Sequence, residues 1–215
     1  MGGRTVMKRI LCYGDSNTWG YDPVTQDRFA PEMRWPRVLG QTLGRDYEVI
    51  EEGLGGRTTV WDDPIEGYKN GREYLIPCLE SHRPLDLVII LLGTNDLKKR
   101  FSLSAYDIAQ GAGVLVRVVQ ASQSGREGLG PQVLLLAPPP TVALTEYAEM
   151  FAEDAGRKSQ KFSAQYGRVA KELGCAYLDT SMVIVSSPLD GIHFEGGEHC
   201  KLGKAVAVKV KELFG

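Results

Sequence analysis

Four short stretches hold residue types that can do chemistry together: Gly14-Asp15-Ser16-Asn17, Gly53-Leu54-Gly55-Gly56-Arg57-Thr58, Gly93-Thr94-Asn95-Asp96 and Leu189-Asp190-Gly191-Ile192-His193-Phe194. A serine hydroxyl is a weak nucleophile at neutral pH and needs an adjacent base, for which a histidine titrating near ~6.5 is suited. The histidine in turn needs a carboxylate to fix its tautomer and stabilise the imidazolium. Asp190, three residues before His193, can reach Nδ1 of that ring, and Ser16, from the opposite end of the chain, can then meet Nε2. The oxyanion of a tetrahedral intermediate requires preorganised N–H donors. The Ser16 backbone, a glycine backbone at Gly55 or Gly56 and the Asn95 side-chain amide can supply three. Each stretch also has a plain structural reading: Asp15 and Ser16 suit a helix N-cap, Gly-Thr-Asn-Asp suits a turn, and a lone histidine is often structural.

Residues so far apart in sequence must be gathered by the fold. Short apolar runs at Met7–Tyr13, Tyr47–Glu51, Asp86–Leu92, Gln132–Ala137 and Cys175–Leu178 read as strands. The near-continuous apolar run from Leu87 to Leu92 predicts burial on both faces, as in a parallel sheet. Between the runs, Trp35, Val38, Leu39, Thr42 and Leu43 recur at helical spacing and stop at Gly44. Ala105–Gln120 carries an apolar stripe behind a capping-box start at Ser104 and Asp107, and further helices are expected at Arg157–Leu173 and Lys201–Leu213. This β-α alternation predicts one α/β domain over residues 1–215, a three-layer α/β/α sandwich around a parallel sheet. Ligands in such sheets bind beyond the carboxyl ends of the strands, where all four polar stretches fall. Gly20–Arg34 and Asp62–Tyr74 read as irregular segments long enough to line or cover a site.

Composition narrows the partners. The 215 residues are 43% hydrophobic and 24% charged, the balance of an ordinary globular protein. With 25 basic and 27 acidic residues the formal charge is −2, which attracts neither nucleic acid nor an anionic membrane. The densest basic cluster, Lys98-Lys99-Arg100, reads as a solvated loop. Four dispersed cysteines form no C-x-x-C pair and fit a reducing, cytoplasmic setting. The apolar run after Arg9 is too short for a signal-peptide core or a membrane span, and Val6 stands where myristoylation of Gly2 wants Ser or Thr. No His/Asp cluster has metal-ligand spacing, so neither a metal nor another cofactor is expected.

The stretches RILCYGDSNTWGYDP, EVIEEGLGGRTT, LDLVIILLGTNDLK and DGIHF, in this order, resemble the SGNH, or GDSL-type, serine hydrolase superfamily, and in detail its bacterial arylesterase and acyltransferase branch. The resemblance implies a five-stranded, flavodoxin-like sheet of order 2-1-3-4-5. It also implies Ser16 as nucleophile, His193 as base, Asp190 as its orienter, and Ser16, Gly56 and Asn95 as the oxyanion hole. By the same likeness Trp19, Tyr21 and Ile192 shape the pocket, Tyr147, Met150 and Phe151 wall its mouth, and Asp15 and Thr94 count among the substrate-facing groups. The implied activity is hydrolysis of aryl and short-chain esters, with acyl transfer to alcohols or peroxide, by a homo-oligomer of two to eight subunits. Asn17 stands where many relatives have leucine and is expected to bear on specificity. Gly55-Gly56 predicts a roomier or more mobile hole, and Gly196-Gly197 a looser segment after the histidine.

Two rivals stay open. The same triad could serve a carbohydrate O-deacetylase or a lysophospholipase-like thioesterase, although a sugar-ester site needs more hydrogen-bonding groups than Trp19, Tyr21, Ile192 and Phe151 offer. A nucleotide- or flavin-binding module could use the same sheet, but Thr58-Thr59 stand where the third fingerprint glycine should fall.

Overall fold

A computed structural model describes residues 6–215; the reading of Gly2 lies outside the described residues. Five strands, β1 (Lys8–Gly14), β2 (Tyr47–Gly53), β3 (Leu87–Leu91), β4 (Gln132–Ala137) and β5 (Ala176–Asp179), form one parallel sheet in the order β2-β1-β3-β4-β5, as expected. Side chains alternate between its faces. Leu11, Tyr13, Val88, Ile90, Val133 and Leu135 join one core with α3 (Gly71–His82), α4 (Ala105–Ala121) and α6 (Phe162–Leu173). Ile10, Cys12, Leu87, Ile89, Leu134 and Leu136 join the other with α2 (Trp35–Leu43) and α7 (Gly196–Phe214). Burial on both sides is why these strands read as unbroken apolar runs.

Register explains how the site is assembled. Gly14 pairs with Gly53 on one side and with Leu91 on the other, so three strands end level. The chain leaves that common edge through Asp15-Ser16, Leu54-Gly55-Gly56 and Leu92 to Asn95, and the segment after β5 returns to the same edge at Asp190–His193. A one-turn helix, α1 (Ser16–Trp19), lies directly on the end of β2. A Cβ on Gly53 would stand 2.0 Å from the Trp19 nitrogen, so only glycine lets α1 settle there.

Three expectations change. The irregular stretch to Tyr74 gives way at Gly71 to α3, a helix that carries Pro77 within it and buries Leu75, Cys78 and Leu79. The expected helix from Arg157 divides into α5 (Ala155–Ser159) and α6. Gly196 and Gly197 are not a loose segment: they begin α7, and Gly196 lies so close to Met33 that a Cβ there would meet its Cε at 2.4 Å. The capping box at Ser104 and Asp107 forms as expected. No helix among the described residues is long and apolar enough to cross a membrane.

Candidate active site

Ser16 is the first residue of α1, and Asp15 is its N-cap, accepting the Asn17 N–H at 3.0 Å. Ser16 Oγ lies 2.9 Å from His193 Nε2, and His193 Nδ1 lies 2.6 Å from Asp190 Oδ2. Asp190 Oδ1 accepts the backbone N–H groups of Ile192 and His193, each at 2.9 Å. Burial alone would raise the Asp190 pKa, but the hydrogen bonds from the His193 ring and from these two N–H groups outweigh it and hold the carboxyl below its usual range. An ionised carboxylate therefore stands behind the ring, and the aromatic rings of Tyr21 and Tyr147 flank it at centroid distances of 4.1 and 5.8 Å.

The donors expected for an oxyanion lie at the same edge. Asn95 Nδ2 gives one hydrogen to Asp15 Oδ2 across 3.4 Å, which leaves its second for the cleft. Gly56 has φ +78°, a left-handed conformation, and a side chain there would strike Glu66 Oε2. The room vacated at Gly56 is thus filled by Glu66, whereas at Gly55 a Cβ would meet nothing within 4 Å. Arg57 fastens this turn to its neighbour strand. Its Nη1 donates to Gly14 O at 2.8 Å and Glu52 O at 2.5 Å, and its guanidinium stacks 4.2 Å from the Tyr13 ring centroid.

These groups open on a cleft of about 250 Å³ lined by Ser16, Tyr21, Gly55, Gly56, Glu66, Asn95, Lys98, Tyr147, Met150, Phe151, Ile192 and His193. Of the residues expected around a substrate, Tyr21, Tyr147, Met150, Phe151 and Ile192 line it, whereas Asp15, Trp19 and Thr94 do not. Asp15 is 2% exposed and turned inward as cap and as brace for Asn95. Trp19 faces Arg28, whose guanidinium lies 5.1 Å from its ring. Thr94 is buried at the start of the short helical turn Asn95–Leu97.

Residues that the sequence reading missed are also present. Lys98 is not solvated: its side chain is 2% exposed and is held by Asp63 and Glu66, and Arg100 joins the same two carboxylates. Asn17 does not shape the cleft but grips the segment bearing His193, donating from Nδ2 to Ile192 O and accepting the Phe194 N–H at Oδ1, both at 3.1 Å. The one available signal was that Glu66 falls in a stretch long enough to cover a site. Away from the cleft, donor atoms of Glu52, Cys78 and His82 lie within 4.8 Å of one another, a grouping that linear spacing conceals. There His82 Nε2 and Glu52 Oε1 already pair at 2.8 Å.

Chemically, this geometry lets a hydroxyl hand its proton to an imidazole whose far nitrogen is anchored, beside a corner of N–H donors. Comparison with known proteins agrees with that reading. A search of curated protein sequences found no match. Among solved structures, the aryl esterase of M. smegmatis is 44% identical over 96% of this chain and 99% of its own, with a TM-score of 0.91. A carbohydrate acetylesterase from Sinorhizobium meliloti is 40% identical over 96% of this chain and 100% of its own, with a TM-score of 0.92. The model of the GDSL-like lipase/acylhydrolase family matches residues 12–197, a span that takes in all four polar stretches. On that match and those likenesses, the chain belongs to the GDSL-like lipase/acylhydrolase family, within the SGNH hydrolases.

Proposed function

We propose that the protein is a serine esterase that hydrolyses short-chain carboxylic esters, aryl esters among them, through an acyl-enzyme. The observation that carries this reading is the unbroken hydrogen-bonded chain Asp190–His193–Ser16 opening on a small cleft. The Ser16 hydroxyl attacks the ester carbonyl carbon while its proton passes to His193 Nε2. The resulting oxyanion is met by the N–H groups of Ser16 and Gly56 and by Asn95 Nδ2. Collapse breaks the bond to the leaving oxygen, which takes the proton back from His193 and departs as an alcohol or phenol. Water, deprotonated by the same imidazole, then attacks the acyl-Ser16 ester, and the acid leaves. Asp190 keeps the ring in the tautomer with hydrogen on Nδ1 and stabilises the imidazolium in both halves.

The cleft volume of about 250 Å³ lies below the range usual for drug-sized ligands, which favours short acyl groups. Transfer of the acyl group to an alcohol or to peroxide is the finer part of the proposal: either nucleophile replaces water in the second half and needs no further group. The experiment is turnover of p-nitrophenyl acetate by Ser16→Ala. The rate is expected to fall by at least ~10³-fold. A variant that kept most of its activity would remove Ser16 from the nucleophile's place.

A further inference from the structure

The end of the cleft beside Gly56 is charged, although an aryl-ester cleft requires only an apolar wall there. Glu66 and Lys98 line it together with Ser16, Gly56 and Asn95. Glu66 is held from one side only. Lys98 Nζ and Arg100 Nη2 both donate to its Oε1, the second at 3.1 Å. Lys98 also reaches Asp63 Oδ2 at 3.5 Å, and Asp63 accepts the backbone N–H groups of Ile65 and Glu66 at 2.9 and 3.1 Å. The remaining oxygen, Oε2, faces the Gly56 turn, 2.4 Å from where a Cβ on that glycine would stand.

Desolvating such a network costs free energy that apolar residues of similar volume would not. Asp63 and Lys98 are almost wholly buried, with side chains 0% and 2% exposed. The outcome of the expenditure is a hydrogen-bond acceptor fixed in direction at the wall of the cleft. Lys69 also stands at this corner, its Cε 3.3 Å from where a Cβ on Gly56 would lie. Two carboxylates among three cations give a cationic ligand nothing there, whereas a neutral O–H donor finds a charge-assisted acceptor.

We infer that Glu66 is a specificity-determining residue whose Oε2 accepts a hydrogen bond from a hydroxyl of the ester's alcohol part, and that the enzyme's preferred substrates are short-chain, acetyl-type esters of polyhydroxylated alcohols such as sugars or glycerol. This rests on the esterase reading of the same cleft and adds a preference to it. It also supplies a hydrogen-bonding group that Ile192 and Phe151 in the same wall do not.

The test compares glycerol 1-monoacetate with propyl acetate, two acetyl esters of three-carbon alcohols that differ only in hydroxyl groups. Wild-type kcat/KM should favour the glycerol ester by about tenfold or more, since a site built to bind a hydroxyl discriminates against the analogue lacking it. Glu66→Gln is the informative variant. Lys98 and Arg100 are donors and will keep the amide oxygen at the Oε1 position, so the amide nitrogen replaces Oε2 and the acceptor becomes a donor. The preference should then shrink by about tenfold. Equal wild-type kcat/KM for the two esters overturns the inference whether or not the variant folds, and so does a ratio that Glu66→Gln leaves unaltered. If wild-type protein hydrolyses p-nitrophenyl acetate in those cases, the inference falls alone; if it hydrolyses none of the three esters, the proposed function falls with it.

Discussion

At the scale of single residues, Asn17 shows how a side chain beside the nucleophile can serve the base instead of the substrate. Its amide spans the two residues that flank His193, so the serine's helix and the histidine's segment are joined by the same bonds that set the ring 2.9 Å from Ser16 Oγ. Asn17→Ala would leave the Ile192 carbonyl and the Phe194 N–H buried without a partner, at about 1–3 kcal/mol for each group. Urea denaturation should register that loss, and turnover of p-nitrophenyl acetate should show kcat falling more than KM rises, because the ring is loosened while the cleft wall stays. Unchanged stability and kcat would dismiss the clamp. Ser16, Asn95, Asp190 and His193 were legible in the sequence because their chemistry is carried by residue type within short motifs. Asn17, Arg57, Glu66 and Lys98 were not, because what each does depends on a partner many positions away: Ile192 and Phe194 for Asn17, Gly14 for Arg57, and Glu66 for Lys98.

At the scale of elements, the central strands β1, β3 and β4 were the most legible feature, with β4 falling on its expected bounds, because runs buried on both faces carry an unambiguous apolar signal; the edge strands β2 and β5 are only partly buried. α3 was hidden by Pro77, which ordinarily argues against a helix interior, and by a buried stripe of only Leu75, Cys78 and Leu79 beyond its first residue. The start of α7 was hidden by two glycines, of which Gly196 packs against Met33 while Gly197 has open space around it. The same logic recurs further along α7. A Cβ on Gly203 would stand 2.7 Å from both the Trp35 carbonyl oxygen and Val38 Cβ on α2, neither of which can swing aside. Gly203→Ala is therefore expected to push α7 off α2 and destabilise the protein by about 1–3 kcal/mol, the usual cost of overpacking. In a chain of this length that corresponds to a melting temperature lower by roughly 2–4 °C for each kcal/mol. α7 begins directly after the His193 segment, so esterase activity should decline together with stability. A variant that melts with the wild type would mean that the helix crossing yields without strain.

At the scale of the whole molecule, buried titratable groups behind the site tie folding to pH. Asp15 and Asp96 are 2% and 0% exposed. Burial pushes Asp15 up to about 6 against the Asn17 N–H bond, and it pushes Asp96 up to about 7 against its bonds from Thr59, with the charge of Asp15 adding to the rise. A carboxyl raised in the folded state holds its proton where the unfolded chain has already released it, so its stabilising contribution is complete below about 4 and is lost as pH climbs through the folded value. His199 works the other way. Burial lowers it to about 3, so the folded state gains on the unfolded one as pH rises from about 3 towards the ordinary histidine range. The two trends oppose each other over most of the acid range and flatten the wild-type profile. Asp96→Asn keeps the shape of the side chain and cannot titrate, which removes the falling contribution of Asp96 while the rising one of His199 remains. Measured by urea denaturation at several pH values between about 4 and 8, the stability of Asp96→Asn relative to wild type should improve steadily up to about pH 7 and then level off, on top of a constant offset for the altered bonds to Thr59. A difference between the two proteins that stays constant across that range would mean that Asp96 is ionised in the folded state at acid pH and that its burial is compensated by its hydrogen bonds alone.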